Sequence, residues 1–237
     1  MLARSRLWQH RSCLRPERAR VRWELPSLLG ASVAGLYWAV PPRRANREIE
    51  IKLPIGDIPA LLRTLRRLGA LSRGRVFERN ALYDTPGGDF RRRGRLLRLR
   101  SQTPAPAHAL RGGPRRALIT AKAPVVSASR SRYKQRLERE AVVTPRRPWT
   151  AILRSLGLRP IFRYEKYRTA FRLPGLDLDL DETPVGTFIE LEGSPEAIDR
   201  VARALGFSPQ DYIRGTYWDV FAAHWRRRGR TPRHMLF

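Results

Sequence analysis

The segment Glu48-Ile49-Glu50-Ile51-Lys52-Leu53 alternates charged and apolar residues without a break. In a β-strand, residues two apart share a face. Glu48, Glu50 and Lys52 therefore point one way, and Ile49, Ile51 and Leu53 the other. The same division recurs down the chain. Arg98 and Arg100 oppose Leu97 and Leu99, and Thr120 stands with Lys122. Arg136, Glu138 and Glu140 share a face, as do Lys166 and Arg168. Asp177, Asp179 and Asp181 oppose Leu176, Leu178 and Leu180. Glu190 and Glu192 oppose Ile189 and Leu191. One such strand needs only water on its polar side and a core on its apolar side. Seven of them, built from short acid-x-acid and base-x-base units, require a common destination for the charge. A sheet closed on itself with apolar faces outward under helices supplies it.

The spacing predicts strands at about 48–53, 75–84, 95–100, 117–122, 135–143, 162–173, 176–182 and 186–192. Helices are expected at 57–69 and 148–156. A third is expected from an N-cap at Ser194 with Pro195 in the first turn, and a last one after Ser208-Pro209. Residues 101–116, rich in proline, glycine and arginine, read as a loop. The expected fold class is α+β, with an eight-stranded antiparallel closed β-barrel and flanking helices.

The 237 residues carry 48 basic and 21 acidic side chains, a net charge of +27. Much of the excess lies at the ends. Residues 1–47 hold ten arginines against Glu17 and Glu24, and Arg226, Arg227, Arg228, Arg230 and Arg233 close the chain. Residues 1–45 are expected to be a basic extension, 46–222 the folded domain, and 223–237 a basic C-terminal tail. Such charge runs usually stay solvated, so nucleic acid is an expected partner only through them. The apolar run from about Leu28 to Val40 is too short for a stable membrane span. The single cysteine, Cys13, permits no internal disulfide and fits a reducing, cytoplasmic setting. The four histidines (His10, His108, His224, His234) lack zinc-ligand spacing.

Only four of the 48 basic residues are lysines: Lys52, Lys122, Lys134 and Lys166. In a chain that otherwise uses arginine, a compact ammonium points to a specific steric need. Three of the four fall on the charged strand faces. The fourth, Lys134, reads as a loop residue near the barrel mouth or as surface. A lumen lined this way cannot be dry, because unpaired buried charge is prohibitive. Facing carboxylates call for hard divalent cations such as Mg²⁺ or Mn²⁺. The basic groups call for a polyanion, and a phosphate chain bridged to two metal ions satisfies both.

These residues resemble the CYTH family, the triphosphate tunnel metalloenzymes. The resemblance rests on Glu48-x-Glu50-x-Lys52, Tyr83-Asp84-Thr85, Arg98-x-Arg100, Thr120-x-Lys122, Arg136-x-Glu138-x-Glu140, Lys166-x-Arg168, Asp181-Glu182 and Glu190-x-Glu192, in that order. It implies a tunnel of eight antiparallel strands. It implies that Lys52, Arg98, Arg100, Lys122, Lys166 and Arg168 grip phosphates, with Arg136 placed between phosphate contact and carboxylate pairing. It implies that Glu48, Glu50, Glu138, Glu140, Asp181, Glu190 and Glu192 hold metals or orient water, with Glu48, Glu50 and Lys52 closest to the chemistry. Asp179 shares the parity of Asp181 but is a weaker candidate. Tyr83, Tyr164 and Trp218 are expected in the core or at the rim.

The resemblance implies a metal-dependent enzyme acting on a small triphosphate, as a monomer or homodimer. Water attack on the terminal phosphorus makes a triphosphatase of inorganic triphosphate, thiamine triphosphate or a nucleoside triphosphate. Attack by a ribose 3′-hydroxyl on the α-phosphorus of ATP makes a class IV adenylyl cyclase. Hydrolysis asks less of the site and is the favoured expectation. A non-catalytic polyphosphate or nucleic-acid binding module is the third reading, and the intact acidic set argues against it.

Overall fold

The computed structural model describes residues 46–105, 116–125, 131–229 and 232–237. The expected basic extension, 1–45, and most of the loop expected at 101–116 lie outside the described residues.

Eight strands close into one antiparallel barrel: β1 (Asn46–Ile55), β2 (Leu71–Asp84), β3 (Leu96–Pro104), β4 (Arg116–Pro124), β5 (Lys134–Val142), β6 (Arg159–Leu173), β7 (Leu176–Thr183) and β8 (Gly186–Gly193). Around the barrel the order is β1-β5-β4-β3-β2-β6-β7-β8. The helices are α1 (Ile58–Arg67), the single-turn α2 (Asp89–Arg92), α3 (Arg146–Ser155), α4 (Pro195–Ala204) and α5 (Tyr217–Arg226). The expected closed-barrel α+β class is the observed one. Among the described residues no helix is long and apolar enough to cross a membrane.

Pairing fixes which face is which. Glu50 lies opposite Glu192 and Lys52 opposite Glu190 across β1 and β8. Arg98 lies opposite Thr120, and Lys122 opposite Glu138. In each pair, parity then sends the charged set inward together and the apolar set outward. Outside, Ile51, Leu53, Leu178, Leu180, Ile189 and Leu191 form a core with Leu61 and Leu65 of α1 and Ile198 and Val201 of α4. Burying each such side chain contributes about 1.5–3 kcal/mol. A second outer core joins Ala81, Tyr83, Leu99 and Ala117 to Leu153 of α3. Caps fix where the covering helices begin. Asp57 accepts from the Ala60 amide at 2.9 Å, and Ser194 from the Ala197 amide at 3.2 Å.

The end of the chain departs from expectation. Only a 3₁₀ turn follows Ser208, at Pro209–Asp211. The last helix starts at Tyr217, where Thr216 and Asp219 form a capping box. Between them Ile213 is extended and exchanges two backbone hydrogen bonds with Lys52, at 3.1 and 2.9 Å. It takes up the edge of β1 just beyond the last β5 partner, Glu50. Residues expected in a basic tail from 223 also contribute to the fold. α5 runs to Arg226, and Met235 is buried beside β6. The Met235 amide donates to the Arg163 carbonyl at 3.0 Å and its carbonyl accepts from the Glu165 amide at 2.9 Å. Those β6 positions precede Tyr167, where pairing with β7 begins, so Met235 covers an edge that would otherwise stay unpaired. Phe162, Tyr164 and Phe188, inward by parity, pack with Tyr217, Phe221 and Met235. This apolar cluster fills the end of the barrel where β6 begins.

Candidate metal and phosphate site in the barrel lumen

The inward charges form three connected groups. The first centres on β1. Carboxylate oxygens of Glu48, Glu50 and Glu192 lie within 4.8 Å of one another. Lys122 donates to both oxygens of Glu48, at 2.6 and 2.7 Å, and lies 2.7 Å from Glu138. Glu50 accepts from Lys134. Burial, with the charge of Glu50 next, pushes Glu48 up to about 9. Burial and Glu50 push Glu192 up to about 7, although its side chain reaches the open part of the lumen. Burial would also raise Glu50, but Lys134, Lys122 and Lys52 outweigh it and hold that carboxyl well below the usual range. The cluster thus carries more carboxylate than its lysines neutralise, which favours the protonated forms of Glu48 and Glu192. Three convergent oxygen donors short of positive charge suit a hard divalent cation.

The second group joins β6, β7 and β8. Lys166 donates to Asp181 at 2.6 Å, and Arg168 grips the same carboxylate through two nitrogens, at 2.7 and 2.6 Å. Arg168 also pairs with Asp179, at 2.5 Å, and with Glu190. Glu190 accepts from Lys52 at 2.6 Å. The Tyr217 hydroxyl donates to Asp181 at 2.6 Å, and the ammoniums of Lys52 and Lys166 stand 4.5 and 4.6 Å from the centre of the Tyr217 ring. Burial and the charges of Asp181 and Glu190 keep that hydroxyl far above its ordinary pKa.

The third group lies on β2, β3 and β4. Arg100 pairs with Glu78 at 3.2 Å and donates to Asn80 at 2.9 Å. Arg98 donates to Thr120 at 3.2 Å, and Thr120 donates to Glu140 at 2.8 Å. Glu78 is fully buried. Burial would raise it, but Arg100, Lys166 and Arg168 hold it well below the carboxylate range.

The structure therefore places Glu48, Glu50, Lys52, Arg98, Arg100, Lys122, Glu138, Glu140, Lys166, Arg168, Asp181, Glu190 and Glu192 around one lumen. It gathers only Glu48, Glu50 and Glu192 into a compact oxygen cluster. Asp181 and Glu190 stand instead among the basic groups. Arg136 shares their parity, yet its guanidinium donates to the Gly94 carbonyl at 2.6 Å, at the rim. Lys134 is neither loop nor surface: it lies on β5 and meets Glu50. Asp179, the weaker candidate, is in contact with Arg168.

Glu78 and Tyr217 went unread in the sequence. On β2 the outward face mixes Arg75 and Arg79 with Phe77 and Tyr83, so no polar-apolar alternation marks Glu78 as inward. Tyr217 opens a helix, and its reach into the barrel follows from where α5 docks.

Comparisons with known proteins agree with this architecture. A Methanocaldococcus jannaschii protein, provisionally named an adenylate cyclase, is 23% identical over 184 residues, covering 73% of this chain and 97% of its own. A Vibrio parahaemolyticus structure of the same provisional naming superposes with a TM-score of 0.63 at 19% identity, over 76% of this chain and 99% of its own. A Pyrococcus horikoshii structure gives 0.62 at 23% identity, over 74% and 98%. A Hippeastrum structure, of a provisionally named adenylyl cyclase described as having a dominant triphosphatase activity, gives 0.51 at 19% identity, over 78% and 97%. At these identities the structural likenesses speak to the fold alone. The sequence profile of the CYTH domain matches residues 46–217, and by that match the chain belongs to the CYTH domain family.

Proposed function

We propose that this protein is a divalent-metal-dependent triphosphatase whose barrel lumen binds a triphosphate. The observation that carries the reading is the pairing of an under-neutralised oxygen cluster (Glu48, Glu50, Glu192) with a wall of inward basic groups in one lumen. A site for a polyanion alone gains nothing from the acids, and a site for a cation alone gains nothing from a wall of inward cations.

In this reading Glu48, Glu50 and Glu192 hold Mg²⁺ or Mn²⁺, with Glu138 beside them. A cation there supplies Lewis-acid neutralisation of phosphate charge. Lys52, Arg98, Arg100, Lys122, Lys166 and Arg168 offer their remaining N–H donors to phosphate oxygens. They thereby fix the chain of phosphates and offset charge that develops in the transition state. Asp179, Asp181, Glu190 and Glu78 keep those basic side chains charged and aimed into the lumen. The apolar cluster under α5 fills one end of the barrel, so the substrate enters from the other and its organic part stays near the mouth. Terminal-phosphate hydrolysis fits that arrangement, since it requires no placement of a base. The triphosphatase activity described for the Hippeastrum relative supports the same choice.

The test is to incubate the full chain with tripolyphosphate, ATP or thiamine triphosphate and Mg²⁺ or Mn²⁺, and to measure phosphate, pyrophosphate and cyclic AMP together. Phosphate release without cyclic AMP, abolished by Glu48→Ala with Glu50→Ala, is expected. Cyclic AMP with equal pyrophosphate would make the protein an adenylyl cyclase, as the names of two relatives would have it. Absence of turnover in a folded protein would overturn both enzymatic readings and leave a binding module.

A further inference from the structure

A cavity of about 650 Å³ lies outside the lumen, beside the start of β6. Arg154 from the end of α3, Arg159 and Arg163 from β6, and Arg233 and His234 from the C-terminal segment converge on it, with Pro86 from the turn after β2. It shares no lining residue with the metal and phosphate groups described above. Its lining holds four guanidiniums and no carboxylate. Among the described residues none of the four is in an ion pair, whereas Arg168 and Arg172 farther along the same strand each meet an aspartate. Parity explains the placement. Phe162 and Tyr164 turn into the barrel, so Arg163 points out, and Arg159, beyond the β-bulge at the start of β6, is likewise exposed. His234 Nδ1 accepts from the Arg163 amide at 3.2 Å, which leaves Nε2 as the donor of the neutral ring. Slight burial and the charges of Arg163 and Arg233 hold that ring below its ordinary pKa.

We propose that this cavity is a second anion site, separate from the tunnel, and that it binds a short inorganic oligophosphate. Guanidinium forks match phosphate oxygens two at a time, and four of them gather more charge than one carboxylate or one phosphate balances. The remaining wall is proline, glycine and leucine with no Phe, Tyr or Trp ring, so positive charge rather than a broad aromatic platform dominates the lining, which suits a phosphate chain without a base. The volume is in the range of small-ligand sites. Binding also has a structural consequence. Arg233 and His234 adjoin Met235, whose backbone continues the β6 edge and whose side chain packs into the apolar cluster. A ligand held jointly by β6 and residues 233–234 fastens that segment in place.

Hydrogen exchange of the full chain, with and without tripolyphosphate in chelator-containing buffer, reads this site locally. Slower exchange at residues 232–237 on adding tripolyphosphate is expected. The concentration needed should rise by about tenfold or more in Arg159→Glu with Arg233→Glu, through loss of charge-assisted contacts. Both side chains are exposed, so the double variant keeps its fold. In Arg98→Ala with Lys122→Ala, which alters the tunnel, the response should persist; Arg98→Lys serves if that pair does not fold. Protection unchanged by the Arg159/Arg233 variant, or lost only with the tunnel variant, would overturn the proposal. So would protection by a single-stranded oligouridylate and not by tripolyphosphate, which would reassign the cavity to a nucleic-acid backbone.

Discussion

Glu78 shows how much one buried carboxylate carries. It is fully buried, with Arg100 at 3.2 Å, Lys166 at 3.7 Å and a hydrogen bond from Gln102 at 2.8 Å. Removing it strips the buried Arg100 of its carboxylate partner and leaves Lys166 with Asp181 alone. Glu78→Ala is expected to destabilise the protein by about 3–5 kcal/mol in urea denaturation, the usual cost of breaking a buried pair from one side. Glu48, Glu192 and Asp179 have the opposite character. Burial raises each, to about 9, 7 and 6 respectively, above the ordinary carboxylate range. Through these three carboxylates the folded protein takes up more protons than the unfolded chain above about pH 5, and their contribution to stability falls as pH rises through that window, against a smaller opposite contribution from His224 and His234, both held below their ordinary pKa. Glu50, Glu78 and Glu190 are held low and lose their contribution only below it. The Tm of chelator-treated protein should drop between pH 5 and 8. Saturating Mg²⁺ or Mn²⁺ should flatten that slope, because the cation replaces the protons. An equal slope with and without metal would count against the Glu48, Glu50 and Glu192 site.

Among the elements, α5 does most to make a barrel into a closed-ended site. Its first residue puts a hydroxyl on Asp181 and a ring under Lys52 and Lys166. One turn later Phe221 packs on Phe162 at a ring-centre distance of 5.4 Å. Phe221→Ala should cost about 3–5 kcal/mol, as large-to-small changes in aromatic cores do. Tyr217→Phe keeps the ring and loses one hydrogen bond to a charged acceptor, worth about 1.5–3 kcal/mol. If the lumen works as proposed, that variant should also lower affinity for triphosphate while leaving metal affinity unchanged, since Tyr217 touches the basic groups and not Glu48, Glu50 or Glu192. Calorimetric titration of each ligand separates the two.

The whole molecule carries +27. The lumen pairs its own charges, so most of the surplus lies elsewhere and repels itself. Added salt screens that repulsion over a Debye length of about 10 Å at 0.1 M. Tm is expected to rise from low to moderate KCl, and a fall would show that the internal ion pairs dominate instead. The division between sequence and structure follows the same line. Alternation in Glu48–Leu53, Leu97–Arg100 and Leu176–Asp181 was enough to read strands, inward charge and a closed sheet, because strand parity is a local property of the backbone. The scarcity of lysine marked Lys52, Lys122 and Lys166 for the same reason: composition is visible without a fold. Glu78 was hidden because both faces of β2 are mixed, and Lys134 because the strand was expected to begin one residue after it, although it shares the parity of Arg136 and Glu138. Which carboxylates converge, as Glu48, Glu50 and Glu192 do while Asp181 and Glu190 join the basic groups, depends on strand register and barrel stagger. The docking of Ile213, Tyr217 and Met235 onto free strand edges and the open barrel end depends on where β5 and β7 stop pairing. Those are contacts between residues far apart in the chain, and only the tertiary structure decides them.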